Sequence, residues 1–128
     1  MSDMSLVRVL VVDDSTHWQA FVTALLKGKG VQVIDIASSG REAVRKAQEL
    51  QPSLILMDIS LPDLNGIEAT RHICTLAPAS RILFVSGEAD PDVVQAAYAA
   101  GGRGYVLKSC APSELLKAMH RALQDAAP

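Results

Sequence analysis

The chain has 128 residues, 49% of them hydrophobic and 20% charged, which fits one compact domain able to bury about two-thirds of its unfolded surface. Its formal net charge of −2 argues against direct binding of nucleic acid or an anionic membrane, and Cys74 and Cys110, without CxxC spacing, argue against a thiolate metal site or a disulfide scaffold. No run approaches the ~18 apolar residues of a membrane span and the N-terminus lacks a basic-then-apolar signal segment, so a reducing cytoplasm is the expected setting.

Residues 1–5 read as a frayed lead-in. Leu6 to Val12 is β-branched and almost wholly apolar, the pattern of a central parallel strand, and it runs into Asp13-Asp14. Asp14 or Ser15 is placed to cap a helix in which Trp18, Phe21, Val22, Leu25 and Leu26 recur at helical spacing, with Gly28 to Gly30 stopping it. Val31 to Ala37 forms a second strand. Ser38-Ser39-Gly40 then leads into a helix carrying Ala43, Val44, Ala47 and Leu50 on one side, and Pro52 follows it. Leu54 to Met57, apolar throughout, predicts a strand buried on both faces that delivers Asp58 at its carboxyl end, ahead of the turn-rich segment Leu61 to Gly66.

Ile67 to Leu76 predicts a short helix ended by Pro78. Arg81 to Ser86 is a fourth strand closing on a hydroxyl; Asp90 is the N-cap and Pro91 the first residue of an alanine-rich helix to Ala100. Gly104 to Lys108 makes a fifth strand, and Pro112-Ser113 to Leu123 a last helix with Leu115, Leu116, Met119 and Leu123 inside. Strand and helix alternate throughout, which predicts a five-stranded parallel sheet with helices on both faces and right-handed crossovers, a three-layer α/β/α sandwich. Residues 1–128 show no internal repeat or linker.

In such a sheet, ligands bind at the carboxyl edge of the strands, where Asp13, Asp14, Asp58, Ser86 and Lys108 all fall. Three crowded carboxylates repel one another unless a cation joins them. Mg²⁺ suits them, since it takes hard oxygen ligands and keeps several waters. A carboxylate in that place can attack a phosphoryl group, with the Lys108 ammonium and Ser86 hydroxyl as electrophilic and hydrogen-bonding groups.

Val9-Leu10-Val11-Val12-Asp13-Asp14, Leu56-Met57-Asp58, Leu61-Pro62 with Gly66, Val85-Ser86-Gly87 and Gly104-Tyr105-Val106-Leu107-Lys108-Ser109 together resemble a response-regulator receiver domain of two-component signalling, over nearly the whole chain and in order. The resemblance implies a flavodoxin-like fold with strand order 2-1-3-4-5 and Asp58 as phosphoacceptor. It implies Mg²⁺, or Mn²⁺ in its place, held by Asp13, Asp14, Asp58 and the backbone carbonyl of Ser60. It further implies Ser86 and Lys108 as phosphoryl-binding groups and Tyr105 as a switch aromatic that reshapes the face of the fourth helix, fifth strand and fifth helix.

The implied partner is a sensor histidine kinase or phosphotransfer protein, and Ala-rich Ala96 to Ala100 permits the close approach of a homodimer through that same face. The chain would be a phosphoacceptor switch rather than a metabolic enzyme. Ala99 to Ser109 is similar to NarL/FixJ receivers, which usually precede a helix-turn-helix DNA-binding domain. No such domain precedes Pro128, so the expectation is a receiver standing alone or excised, acting on transcription without itself touching DNA. Ser109 stands where many receivers have proline, which leaves the isomer of the Lys108–Ser109 peptide open.

Plainer readings compete with each assignment. Asp13 and Asp14 alone read equally well as capping acids, Asp58 as a turn acid before Pro62, Ser86 as a turn hydroxyl and Lys108 as a solvated lysine. Their shared strand-end placement is what favours a phosphoryl site. Tyr98 is read as a packing residue, Trp18 as core, His17, His72 and His120 as surface, and both cysteines as inert small hydrophobes. A Mg²⁺-dependent phosphatase would want a second acid two residues after Asp58, where Ser60 stands. A pseudo-receiver would be expected to lack one of Asp14, Asp58 or Lys108, and all are present. A nucleotide-binding flavodoxin-like protein would need a phosphate cradle where Asp13-Asp14 is electrostatically wrong.

Overall fold

The computed structural model describes residues 7–124, so the lead-in at residues 1–5 and Leu6 lie outside the described residues. Five strands and five helices alternate: β1 (Val7–Val12), α1 (Thr16–Leu26), β2 (Val31–Ala37), α2 (Gly40–Leu50), β3 (Leu54–Met57), α3 (Gly66–Leu76), β4 (Arg81–Ser86), α4 (Pro91–Ala100), β5 (Gly102–Leu107) and α5 (Pro112–Leu123). The strands form one parallel sheet in the order β2-β1-β3-β4-β5. No described helix is long and apolar enough to cross a membrane.

The apolar runs become strands because each can bury both faces, and successive side chains along a strand point to opposite sides. Leu10, Val12, Ile55, Met57, Ile82 and Phe84 pack with Ala43 and Ala47 of α2, Ala69 and Ile73 of α3, and Ala97 of α4. Their neighbours Val9, Val11, Leu54, Leu56, Leu83 and Val85 pack with Val22 and Leu26 of α1 and Leu115, Met119 and Ala122 of α5. The three layers follow from this alternation. Small alanines on α2, α3 and α4 let those helices lie close to the sheet, while each fully buried leucine or isoleucine contributes ~1.5–3 kcal/mol.

Helix starts follow local capping chemistry. Ser15 Oγ accepts the Trp18 N–H at 3.2 Å, Asn65 Oδ1 accepts that of Glu68 at 3.0 Å, and Asp90 Oδ1 accepts those of Asp92 and Val93. At α2 the Ser39 hydroxyl accepts the Glu42 N–H, while the Glu42 carboxylate reaches back to accept the N–H of Ser38, the residue before the cap. Strand β5 begins at Gly102 rather than Gly104, because Gly102 still pairs with Ile82 before the register shifts. No described peptide bond is cis, so the Lys108–Ser109 bond is trans.

Two aromatic expectations need correction. Tyr98 is 49% exposed rather than packed, because α4 turns Ala97 inward and Tyr98 lies one step round the helix. Trp18 does pack against the core but is only partly buried, since it stands in the first turn of α1, at the rim of the sheet. Phe21, on the same stripe, is 48% exposed. His17, His72 and His120 are at the surface, as expected.

Candidate functional site at the carboxyl edge of the sheet

The chain runs from β1 outward to β2 and then returns to β3 on the other side of β1. The loops after β1 and β3 therefore diverge and leave a crevice at that switch point. Asp13 and Asp58 leave adjacent strands there, since Val12 is paired with Met57, and the Asp58 N–H donates to the Val12 carbonyl at 3.0 Å. Across the sheet, Ser86 is paired with Leu107, and the Lys108 N–H donates to the Ser86 carbonyl at 2.8 Å. Asp13, Asp58 and Ser86 are buried, whereas Asp14 and Ser60 are exposed.

Lys108 joins the two buried acids. Its Nζ lies 2.7 Å from Asp13 Oδ2 and 3.4 Å from Asp58 Oδ2. The other carboxylate oxygens are held by backbone: Asp13 Oδ1 accepts the Ser15 N–H at 2.9 Å, and Asp58 Oδ1 the Ile59 N–H at 2.8 Å. Burial, and then the charge of Asp13, push the Asp58 carboxyl above the usual carboxylate range, against the pull of Lys108. Burial would lower the Lys108 ammonium, but the two carboxylates outweigh it and raise its pKa.

The residues fit a divalent cation. Asp13, Asp14 and Asp58 each present a carboxylate oxygen, and these lie within 4.8 Å of one another. Asp13 Oδ2 is buried and makes no well-angled hydrogen bond, although the Lys108 charge lies beside it. An oxygen-only cluster with one such under-used acceptor is a hard-cation donor set. Two buried carboxylates share one ammonium, and the charge left over is what such an ion would relieve.

Two glycines let the loop after Asp58 pack tightly, backbone against backbone. A Cβ on Gly66 would lie 1.9 Å from the Asp58 carbonyl oxygen, and one on Gly40 would lie 1.8 Å from that of Leu64. Asp63 supports the same junction: its Oδ1 accepts the N–H groups of Gly40 at 3.1 Å and Arg41 at 3.3 Å. It also accepts the Leu64 N–H.

Three contributors went unrecognised in the sequence. Gln19 donates to the Asp13 carbonyl at 2.6 Å, Asp63 caps α2 from another loop, and Trp18 places its ring centroid 5.5 Å from Lys108 Nζ. Only Trp18 carried a signal, its place one turn after Asp13-Asp14, and that was read as core. Tyr105 is partly buried, with its ring 6.2 Å from that of Phe84 and its hydroxyl donating to the Glu88 carbonyl at 2.7 Å. Glu88 also donates its N–H to Ser86 Oγ at 3.4 Å, so the β4–α4 loop touches both residues.

Comparison with known proteins agrees with this architecture. Residues 9–120 match the response regulator receiver domain family. The chain is 33% identical over 114 residues to the chemotaxis protein CheY of Thermotoga maritima, covering 89% of this chain and 95% of that protein. It is 36% identical over 118 residues to the transcriptional regulatory protein LiaR of Bacillus subtilis, covering 91% of this chain but 56% of that one. The chain thus spans about half the length of that regulator. A LuxR-family two-component response regulator from Aurantimonas sp. superposes with a TM-score of 0.88 at 36% identity, covering 93% of this chain and 86% of that one. With a matched family spanning β1 to α5 and a shared sheet order, the chain belongs to the response regulator receiver domain family.

Proposed function

We propose that Asp58 accepts a phosphoryl group from a phosphohistidine on a sensor histidine kinase or phosphotransfer protein. The observation that carries this reading is the Lys108 ammonium shared between two buried carboxylates at the switch point of the sheet. A carboxylate oxygen of Asp58 attacks phosphorus, the P–N bond breaks, and the histidine nitrogen keeps the electron pair and takes a proton. Lys108 and Ser86 receive the phosphoryl oxygens. Asp13, Asp14, Asp58 and the Ser60 carbonyl would hold Mg²⁺, with Mn²⁺ as a substitute. When bound, that ion neutralises phosphoryl charge and favours in-line attack.

Residues 1–128 act in this reading as one phosphoacceptor domain in the cytoplasm, a switch with slow self-dephosphorylation rather than a metabolic enzyme. The Ser86, Glu88 and Tyr105 contacts support coupling from the site to the α4-β5-α5 face. A rearrangement there worth ~1–3 kcal/mol is enough to shift an output several-fold. Transcription is the output favoured by the likeness to LiaR, and pairing of two copies through that face is the favoured assembly.

Intact mass after incubation with Mg²⁺ and acetyl phosphate or phosphoramidate tests the phosphoacceptor. The expected result is a gain of one phosphoryl group, absent in Asp58→Ala and absent without Mg²⁺. No gain in folded, Mg²⁺-loaded protein would overturn it and leave a partner-binding domain without phosphorylation.

A further inference from the structure

We infer that Trp18 is a positioning residue for Lys108, offering its indole face to the ammonium when a divalent cation draws Asp13 and Asp58 away; this rests on the metal reading above. The ring centroid is 5.5 Å from Nζ, within but near the outer limit of roughly 6 Å for attraction between a cation and an aromatic face. Trp18 is itself held in place. Its N–H is capped by Ser15, and its ring lies 5.3 Å from that of Phe21, tilted by 38°.

The Lys108 side chain is 25% exposed and borders a shallow depression of about 420 Å³ lined by Ser15, His17, Trp18 and Phe21. It therefore has room to move. In the cation-free state its charge is divided between two carboxylates and the ring. A divalent cation would take both carboxylates and repel the ammonium, and the indole face is already within reach of it. Because 5.5 Å leaves room to close in, the face gains attraction as the carboxylates are given up. A partner favouring the displaced lysine over the bridging one shifts the balance toward the metal-bound form.

Trp18 is the one tryptophan in the chain, so its emission reports the surroundings of this one ring, and the Lys108→Met variant isolates the lysine's part in it. Titration with Mg²⁺ should change that emission saturably in the natural protein and leave it unchanged in Lys108→Met, while calorimetry shows Mg²⁺ binding to both. Calorimetry on Trp18→Leu should show Mg²⁺ binding weakened about two- to fivefold, from the strength of an exposed cation–aromatic contact. Trp18→Phe should recover part of the loss, and Trp18→Leu should add nothing in the Lys108→Met background. Equal Mg²⁺ affinity in Trp18→Leu, or the same weakening in both lysine backgrounds, would overturn the inference. Absence of Mg²⁺ binding to the natural protein would instead sink the metal reading, and this inference with it.

Discussion

The Lys108 ammonium is closer to Asp13, at 2.7 Å, than to Asp58, at 3.4 Å. Without a metal, the lysine therefore serves first as counter-ion to the more deeply buried acid. Lys108→Met should destabilise the cation-free protein by about 1–3 kcal/mol, below the usual loss for a broken buried pair because the lysine is partly exposed. Mg²⁺ should then raise the melting temperature of this variant more than that of the natural protein. Thermal melts with and without Mg²⁺ decide it; equal shifts would mean that the ion and the lysine do not share ligands.

Gly66→Ala tests the close approach to the Asp58 backbone. With 1.9 Å between the added carbon and the Asp58 carbonyl oxygen, the loop has to move. Urea denaturation should show a loss of about 1–3 kcal/mol, the range for overpacking. Phosphorylation by acetyl phosphate should slow in the fraction that stays folded. Unaltered stability together with an unaltered rate would contradict the geometry.

Asp63→Ala removes a cap supplied from a distant loop. Asp63 also has a positive φ of 64°, a conformation that Asp tolerates better than Ala. Stability should fall by about 1 kcal/mol. Amide exchange at Gly40 and Arg41 should accelerate more than at Ala47, deep in α2; uniform acceleration would point to global loosening instead.

Lys46 supplies a pH-dependent term away from the site. Its Nζ lies 3.1 Å from Asp35 and 3.2 Å from Glu42 and donates to the Ile36 carbonyl. Asp35 is held below its ordinary pKa by the Ile36 N–H and then by Lys46, against burial; Glu42 is lowered by the Ser38 N–H and then by Lys46, again against burial. Depressed acids stabilise the fold above their unfolded values of 3.8 and 4.5, and that contribution is lost as pH falls through the folded ones. Lys46→Met should therefore cost less than about 1 kcal/mol at pH 7, as surface pairs do, with the difference shrinking in melts at acid pH. A difference that grows on acidification would refute the assignment.

Most of the fold was legible because the doubly buried strands leave unbroken apolar runs that end on polar residues. Asp58 follows Leu54 to Met57 without a gap, and Lys108 follows Leu107 in the same way. The same pattern marks Asp13, Asp58, Ser86 and Lys108 as strand-end residues of one rim. Asp63 was opaque for the opposite reason: it caps a helix 23 residues earlier in the chain, and a side-chain bond of that reach leaves no local periodicity. Trp18 and Tyr98 misled because an aromatic on a helical stripe looks the same whether it lies over the sheet or beyond its rim.

The bridge from Lys108 to Asp58 joins residues 50 apart, and it depends on β5, which enters the sheet last in chain order. β1 and β3 deliver Asp13 and Asp58 to one edge, and the lysine between them comes only with β5. The final strand thus brings the one ammonium that bridges the two buried acids, so their mutual repulsion is offset in part only once the sheet is complete.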